Sequence, residues 1–326
     1  MGNLVSGRLR RLGLCTLVLA VAAVLAGAAA CGSGQAPAAP TPVATSATPA
    51  VTYLAGQTYF GRNSYIEFHA GELPIVLSAP HGGSLEPAEI PNRTSGTTLT
   101  DSAAEDLARA VADALQARTG REAHLVVCRL KRSKLDANRD VAEGAQGNPA
   151  AEQAWREYHG FLETARSMAA SRYGRALVVD IHGHGHPKAR VEVGYLLSAI
   201  DLDRPDGELD DPPWSRQSSI RTLAAECGLP FSALLRGPAS FGGLIERAGY
   251  LSVPGPTTPG PGSDPYFDGG YITSRHGSVD GGPVSAFQVE TPWPGVRDTA
   301  SARSRFATAM ADALVAYLAA QFRIPL

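Results

Sequence analysis

The stretch that decides the fold is ALVVDIHGHGHP, residues 176–187. Its first six residues form an apolar run that is typical of a strand buried on both faces of a sheet. His182 follows at once, and then two more histidines separated by glycines, which places imidazoles on an irregular, accessible backbone. In open α/β sheets, ligands bind beyond the carboxyl ends of the strands. The stretch therefore predicts a buried strand that ends in a site.

The rest of the chain alternates strands and helices around this stretch. Further strands are predicted at residues 73–79, 124–128, 193–199, 232–235 and 283–289. Helices are predicted from a capping box of Ser102 and Glu105 to Gly120, and over residues 149–170, 217–225 and 300–320. Such alternation indicates an α/β fold, a three-layer α/β/α arrangement with a mostly parallel, doubly wound sheet. Residues 236–283 are rich in Gly and Pro, so we expect an irregular loop that walls the site.

Composition excludes two classes of protein. Hydrophobic residues make up 44% of the 326 residues and charged residues 18%, which suits a packed core rather than a disordered chain. The 29 basic residues nearly balance the 31 acidic ones, so no basic surface for nucleic acid is expected. Cys128 and Cys227 are the cysteines of the domain. We expect two buried thiols, with a disulfide as the alternative.

The N-terminus has the pattern of an export signal. Residues 1–30 combine three arginines with a long apolar run and end in small residues. Cys31 follows, in a context similar to the lipobox of bacterial lipoproteins, although Ala28 departs from the usual Leu or Val. A signal cut without lipidation and a retained membrane anchor are the alternatives. Residues 31–50 are predicted to be a disordered tether and residues 51–326 a single domain outside the cytoplasm, held at the cell envelope by Cys31 or secreted.

Polar side chains follow several predicted strands at one rim of the sheet. His81 and Glu86 flank a turn in which they could hold one cation together, and His182 ends the strand of the opening stretch. Two histidines, one carboxylate and an open position for water are the usual composition of a catalytic zinc site. His81, Glu86 and His182 are therefore candidate metal ligands, and a turn histidine that is hydrogen-bonded to the backbone is the alternative for His81. For His184 and His186, positions at the surface or behind the ligands are expected.

Two further segments supply substrate contacts and a base. Residues 132–140, RSKLDANRD, contain Arg132, Asn138 and Arg139, and a guanidinium beside an amide can bind a carboxylate; a solvated charged loop is the alternative. Glu290 ends an apolar strand, where a carboxylate is costly to bury alone. It is the expected general base, unless it forms a structural ion pair with Arg297.

Five motifs in this order resemble the N-formylglutamate amidohydrolase family. They are PHGG (80–83), R-x3-D-x-N-R (132–139), D-x-H (180–182), GGYIT-x-x-HG (269–277) and Q-V-E (288–290). The family is related to poly-γ-glutamate hydrolases and zinc carboxypeptidases, and the resemblance implies a phosphorylase/hydrolase-like fold and one zinc ion. It implies His81, Glu86 and His182 as ligands, Asn138 and Arg139 as a carboxylate clamp, Arg132 as a carbonyl-polarising or substrate-orienting group, and Glu290 as base.

The resemblance therefore implies zinc-dependent hydrolysis of an amide in a carboxylate-bearing substrate: an N-acyl amino acid, a glutamyl amide or a peptide end. N-formylglutamate hydrolysis belongs to cytoplasmic histidine breakdown, whereas this chain has the pattern of an export signal. We therefore expect the same type of reaction as in the family but a different substrate. The alternatives are a lipoprotein that binds solutes or cell-wall fragments without catalysis, and a cell-wall peptidase.

Overall fold

A computed structural model describes residues 52–326 of the chain. The predicted signal peptide, the lipidation of Cys31 and the tether lie outside the described residues. Within them, no helix combines the length and the apolar character needed to cross a membrane.

The domain is built from eight strands and eleven α-helices among the described residues, together with three short 3-10 or π-helical segments. The strands are β1 (Thr58–Phe60), β2 (Ile66–His69), β3 (Ile75–Ala79), β4 (His124–Cys128), β5 (Ala176–His184), β6 (Val191–Gly194), β7 (Ser252–Val253) and β8 (Val284–Pro292). The helices are α1 (Ala104–Thr119), α2 (Val141–Ala145), α3 (Pro149–Tyr173), α4 (Ala199–Leu202), α5 (Asp206–Leu209), α6 (Trp214–Gln217), α7 (Arg221–Glu226), α8 (Phe231–Arg236), α9 (Phe241–Arg247), α10 (Tyr271–His276) and α11 (Ala300–Tyr317).

All eight strands form one mixed sheet in the order β1-β2-β4-β3-β5-β8-β6-β7. The four central strands, β4, β3, β5 and β8, run parallel to one another. The outer strands β1 and β2 are antiparallel additions at one edge, and β6 pairs antiparallel with β8 at the other. The parallel centre brings the carboxyl ends of β3, β5 and β8 to one rim, as the sequence predicts.

Side chains of the central strands alternate between two apolar layers. Leu77 and Val179 point into a layer that includes α1 and α11, whereas Val76 and Val178 point into a layer that includes α3. Every residue of β3 and β4 is buried, which explains the continuous apolar runs in their sequences. The predicted three-layer α/β/α fold is confirmed.

Several local predictions are wrong. Residues 232–235 belong to helix α8, not to a strand, because a short apolar run has no periodicity that separates a buried strand from a buried helix, and Pro230 precedes its first turn. Residues 236–283 are not irregular throughout, since they contain α9, β7 and α10. Strands β1 and β2 were not predicted.

The predicted capping box at the start of α1 does not form. The helix begins after Ala103, whose side chain makes no capping bond, and the carbonyl of Ser102 instead accepts a hydrogen bond from Arg297 at 2.6 Å. Cys128 and Cys227 are both buried as free thiols, which agrees with the expected pair of buried thiols rather than with a disulfide.

Candidate active site

His81 is placed by the turn that follows β3. A side chain on Gly82 would come within 2.3 Å of the backbone of Glu105, and one on Gly83 within 2.3 Å of the backbone of Arg129. The two glycines therefore let the turn pack against the start of α1 and the segment after β4. As a result His81 lies buried beside the end of β5.

The imidazoles of His81 and His182 face each other at the rim of the sheet. Their Nδ1 atoms are 3.1 Å apart. The Nε2 of His81 donates to the carboxylate of Asp136 at 2.6 Å, and the Nε2 of His182 donates to Asp180 at 2.8 Å. A carboxylate behind each ring fixes its tautomer and orientation, which is the usual arrangement for metal-binding histidines. The Nδ1 atoms of both rings therefore face one point.

Asp101 brings a carboxylate oxygen to the same point. Its Oδ2 lies 3.1 Å from Nδ1 of His182 and 3.5 Å from Nδ1 of His81. His81, Asp101 and His182 are all buried, and their ligand atoms lie within 4.8 Å of one another. Two imidazole nitrogens and one carboxylate oxygen are a donor set that suits zinc and leaves a coordination position open.

Glu86 does not lie with the two histidines. Its carboxylate is exposed and accepts a hydrogen bond from Lys131 at 2.8 Å. The place predicted for Glu86 is taken by Asp101, which stands in the irregular segment just before α1. This segment gave no periodic signal, and Asp101 was missed. Asp136 and Asp180 belong to the R-x3-D-x-N-R and D-x-H motifs, but the sequence did not indicate that they would bind His81 and His182.

The charges of this group depend on one another. Burial lowers the pKa of His182, but the carboxylates of Asp180 and Asp101 outweigh burial and hold it well above its usual value. Burial raises the pKa of Asp101, but its bonds to the two histidines bring it well below the usual range. The group without a metal therefore holds positive charge close to Asp101, in the position where a cation would bind.

Glu290 enters the site from β8, beside His182. The two residues are paired in register across β5 and β8, and Glu290 Oε1 is 4.0 Å from His182 Nδ1. Gln288 donates to the same Oε1 at 3.0 Å, while the buried Oε2 has no hydrogen-bond partner among the described residues. Burial raises the pKa of Glu290 to about 8. Its second oxygen is thus available to accept a proton.

Arg297 is not the ionic partner of Glu290. Its guanidinium donates to three carbonyl oxygens, those of Ser102, His184 and Thr291, at 2.6 to 3.1 Å. It joins the segment before α1 to the ends of β5 and β8. The predicted alternative of a structural ion pair with Glu290 therefore does not form in this structure.

The segment after β4 supplies the other predicted residues. Arg132 binds Asp136 at 3.0 Å and Asp101 at 3.3 Å. The buried Asn138 accepts from the backbone N–H of Ile272 at 2.8 Å. Arg139 donates to the carbonyl of Asn138 at 2.8 Å and keeps 38% of its side chain exposed. The alternative of a solvated charged loop fits Arg139 in part, but neither Arg132 nor Asn138.

These residues surround one cavity of about 130 Å³. Its walls include His81, Asp101, Arg132, Asn138, Arg139, His182, Phe267 and Glu290. The structure thus brings six of the seven predicted site residues together and leaves Glu86 outside. The cavity combines potential metal ligands, a carboxylate with a raised pKa and two guanidinium groups. Groups of these kinds act together in hydrolytic sites.

A second group of potential ligands consists of His184, His186 and Glu192, and Glu192 is paired in register with Glu290. Both ring nitrogens of His184 already have partners, the carbonyl of Arg190 at 2.8 Å and the N–H of His186 at 3.1 Å. His186 Nδ1 is 2.9 Å from Glu192, whose side chain is fully buried. Both nitrogens of His184 and Nδ1 of His186 are thus engaged in hydrogen bonds within this group.

Comparisons with known proteins give structural neighbours only. No protein-family model and no curated protein matches the chain. It is similar to the structure of N-formylglutamate amidohydrolase from Ralstonia eutropha JMP134, with 14% identity, 79% of this chain and 97% of that one covered, and a TM-score of 0.45.

Two other solved structures are similar at the same level. The gene product Atu2144 from Agrobacterium tumefaciens has 14% identity over 77% of this chain and 94% of its own, with a TM-score of 0.42. A candidate metallopeptidase from Shewanella denitrificans OS217 has 15% identity over 79% of each chain, with a TM-score of 0.34. The family that the sequence motifs resemble thus recurs among the neighbours, but similarity this low bears neither on the activity nor on the substrate of this chain.

Proposed function

We propose that this chain is a zinc-dependent amidohydrolase that cleaves an amide bond in a substrate bearing a carboxylate. The observation that carries the proposal is the convergence of His81 Nδ1, His182 Nδ1 and Asp101 Oδ2 beside the unpartnered Oε2 of Glu290. Binding alone has no need of a buried carboxylate with a raised pKa at such a place. The combination favours catalysis over a binding protein.

The donor set fits the metal that the resemblance implies. His81, Asp101 and His182 would hold the ion, and Asp136 and Asp180 fix the histidine rings. A zinc ion held there would polarise the scissile carbonyl and acidify the attacking water. Binding requires His182 to lose the proton that its carboxylate neighbours favour, so metal uptake releases a proton and weakens at low pH.

Glu290 is the proposed general base. Its Oε2 takes the proton of the attacking water, and the same carboxyl then donates a proton to the leaving amine. A pKa of about 8 in the metal-free site is close to the working range of a group that both accepts and donates near neutral pH. A cation beside it would favour the ionised form, which is the form that accepts the proton.

Arg132 and Arg139 stabilise two different negative charges, the developing oxyanion and the carboxylate of the substrate. Arg132, which is 12% exposed and fixed by Asp101 and Asp136, stabilises the oxyanion that develops on the amide carbonyl. The more exposed Arg139, with Asn138, binds the carboxylate of the substrate. Substrates that fit are N-acyl amino acids, glutamyl amides and peptide ends.

The location is also a proposal. The signal-like residues 1–30 and the lipobox-like context of Cys31 support an extracytoplasmic domain that Cys31 anchors to the membrane. A substrate of the cell envelope would then meet the enzyme without entering the cytoplasm.

The test is the hydrolysis of N-acyl amino acids and γ-glutamyl peptides by the purified protein, with and without zinc, and with a Glu290→Gln variant. We expect zinc-dependent product release and a loss of about 10² or more in kcat for the variant, because the amide of Gln accepts no proton. Metal content, measured by mass spectrometry, should be equal in the two proteins.

Two outcomes would contradict the proposal. Full activity of metal-free protein would exclude the metal, and unchanged activity of Glu290→Gln would remove the base. Saturable binding of these compounds without any product would instead favour the alternative of a binding lipoprotein. An Arg139→Gln variant separates binding from chemistry, since we expect it to raise KM more than it lowers kcat.

A further inference from the structure

Phe267 stands at the mouth of the catalytic cavity with its ring partly in solvent. It lines the cavity together with Glu290 and Arg139, and 44% of the residue is exposed. A large apolar ring beside a strongly polar site has no role in the proposed proton transfers. Its position calls for a separate explanation.

The ring and the backbone of Phe267 are both held in place. The N–H of Phe267 donates to Glu192 at 3.0 Å, and its ring stacks on His186 with centroids 4.6 Å apart and an interplanar angle of 22°. The neighbouring Tyr266 donates its hydroxyl to the carbonyl of Val193 at 2.7 Å. An exposed aromatic ring with this support presents a fixed surface rather than a mobile one.

The support is built from buried charged groups, which is a costly way to hold a loop. Glu192 is fully buried in β6 and is paired in register with Glu290. Arg190, 2% exposed, binds Asp264 at 3.0 Å and the carbonyl of Pro265 at 3.2 Å. His186, Glu192 and Arg190 are outside the proposed chemistry, and all three bind the segment that carries Phe267.

The size of the cavity indicates where the parts of the substrate beyond the scissile amide bind. A volume of about 130 Å³ is small beside the roughly 300–1,000 Å³ of typical ligand pockets, so it holds the reacting amide and little more. A larger group attached to that amide has to leave through the mouth, where Phe267 offers its exposed ring.

We propose that Phe267 is a specificity-determining residue that contacts an apolar, preferably aromatic, group next to the scissile amide of the substrate. The inference rests on the proposed function for the reaction and deepens it by naming this substrate class. Aromatic rings attract one another beyond the area that they bury, and a fixed ring loses little conformational entropy on contact.

The experiment compares zinc-loaded wild-type protein with Phe267→Ala on three substrates: N-acetyl-alanine, N-acetyl-phenylalanine and N-phenylacetyl-alanine. In the wild type we expect kcat/KM for at least one aromatic substrate to exceed that for N-acetyl-alanine by about tenfold. In Phe267→Ala this ratio should fall to about one, because the aromatic substrates lose the ring that they contact. His186→Ala, which removes the stacked ring beneath Phe267, should lower the ratio in part.

Binding separates this inference from the proposed function. Calorimetry of 3-phenylpropionate and propionate with the same two proteins should show a preference for the aromatic acid that Phe267→Ala abolishes, whether or not any amide is cleaved. If the wild type cleaves none of the three substrates, the proposed function fails while the binding comparison still decides the role of Phe267. Equal binding of the two acids by the wild type, or a preference that survives in Phe267→Ala, would overturn the inference.

Discussion

Two pairs of buried histidines lie in this domain, and their surroundings differ in the sign of the nearby charge. His81 and His182 meet at 3.1 Å with Asp101, Asp136 and Asp180 around them. His159 and His276 meet at 2.8 Å and stack at 5.1 Å between centroids, with Arg166 at 3.5 Å from the second ring.

The charges set opposite protonation preferences for similar rings. Burial and the charge of Arg275 lower the pKa of His159 to about 3, and burial, the neighbouring His159 and the charge of Arg166 hold the pKa of His276 well below its usual value. The carboxylates around His182 hold its pKa well above the usual value in spite of burial. The first pair therefore suits a cation, and the second is a neutral hydrogen-bond chain that ends on the carbonyl of Ala137, next to Asn138.

The largest effect is expected from removing one charge at the first pair. Asp101→Asn keeps the shape of the side chain but replaces a carboxylate ligand with a neutral amide, so we expect zinc affinity to fall by at least about 100-fold and activity to be lost. Calorimetric titration of the metal-free protein with zinc measures the affinity.

Two control variants make that result specific. His276→Gln changes the second pair and should leave zinc affinity unchanged. Glu86→Gln tests the ligand first predicted from the sequence and should also bind zinc like the wild type, because Glu86 bonds Lys131 at the surface. Full zinc affinity in Asp101→Asn, or its loss in Glu86→Gln, would contradict the proposed ligand set of His81, Asp101 and His182.

The second effect is on stability at acidic pH. A buried neutral histidine with a folded pKa near 3 takes up its proton more readily when unfolded, so its contribution to stability is complete above pH 6.5 and is lost as the pH falls towards 3. Between pH 6.5 and 5 the loss is about 2 kcal/mol for one such histidine. His182 acts in the opposite sense in the metal-free protein, since its raised pKa favours the folded state below pH 6.5 and loses that contribution at higher pH.

Urea unfolding of metal-free protein at pH 6.5 and 5 measures this loss. The variant His159→Gln, in which the amide replaces the imidazole donor and acceptor, should lose about 2 kcal/mol less than the wild type over that interval. Because Glu290 and His182, whose pKa values are raised, act in the opposite sense in the wild type, only the difference between the two proteins is diagnostic. An equal change of stability in both proteins would show that His159 is not held neutral.

The two histidine pairs also show how much of the fold and of the candidate site can be predicted from the sequence. The strands that carry His81, His182 and Glu290 are predictable, because strands buried on both faces have continuous apolar runs and the parallel centre brings their ends together. The third donor, Asp101, lies in a loop with no periodicity, and only the three-dimensional path after β3 returns it to the rim.

The second pair was not predictable for a similar reason. His159 lies on α3 and His276 on α10, in a region expected to be irregular, and the two are 117 residues apart in sequence. Nothing local to either residue indicates the other. The strand predicted over residues 232–235 is wrong for another reason. The segment is apolar and buried, but it is too short to show the periodicity that would identify a helix.

The smallest effect is expected from a single positive charge at the second pair. Arg275 lies at the surface, binds Glu163 and packs over the ring of Trp155 at 5.4 Å, and its charge lowers the pKa of His159. Arg275→Gln removes that charge, so the pKa of His159 should rise by a few tenths of a unit, roughly the scale of an exposed charge interaction. Because a pKa near 3 lies far below pH 5, this change is measured by NMR titration of the His159 imidazole and not by the stability at pH 5. Arg275→Lys keeps the charge and should titrate like the wild type. An unchanged pKa in Arg275→Gln would mean that burial alone, without the arginine, keeps the second pair neutral.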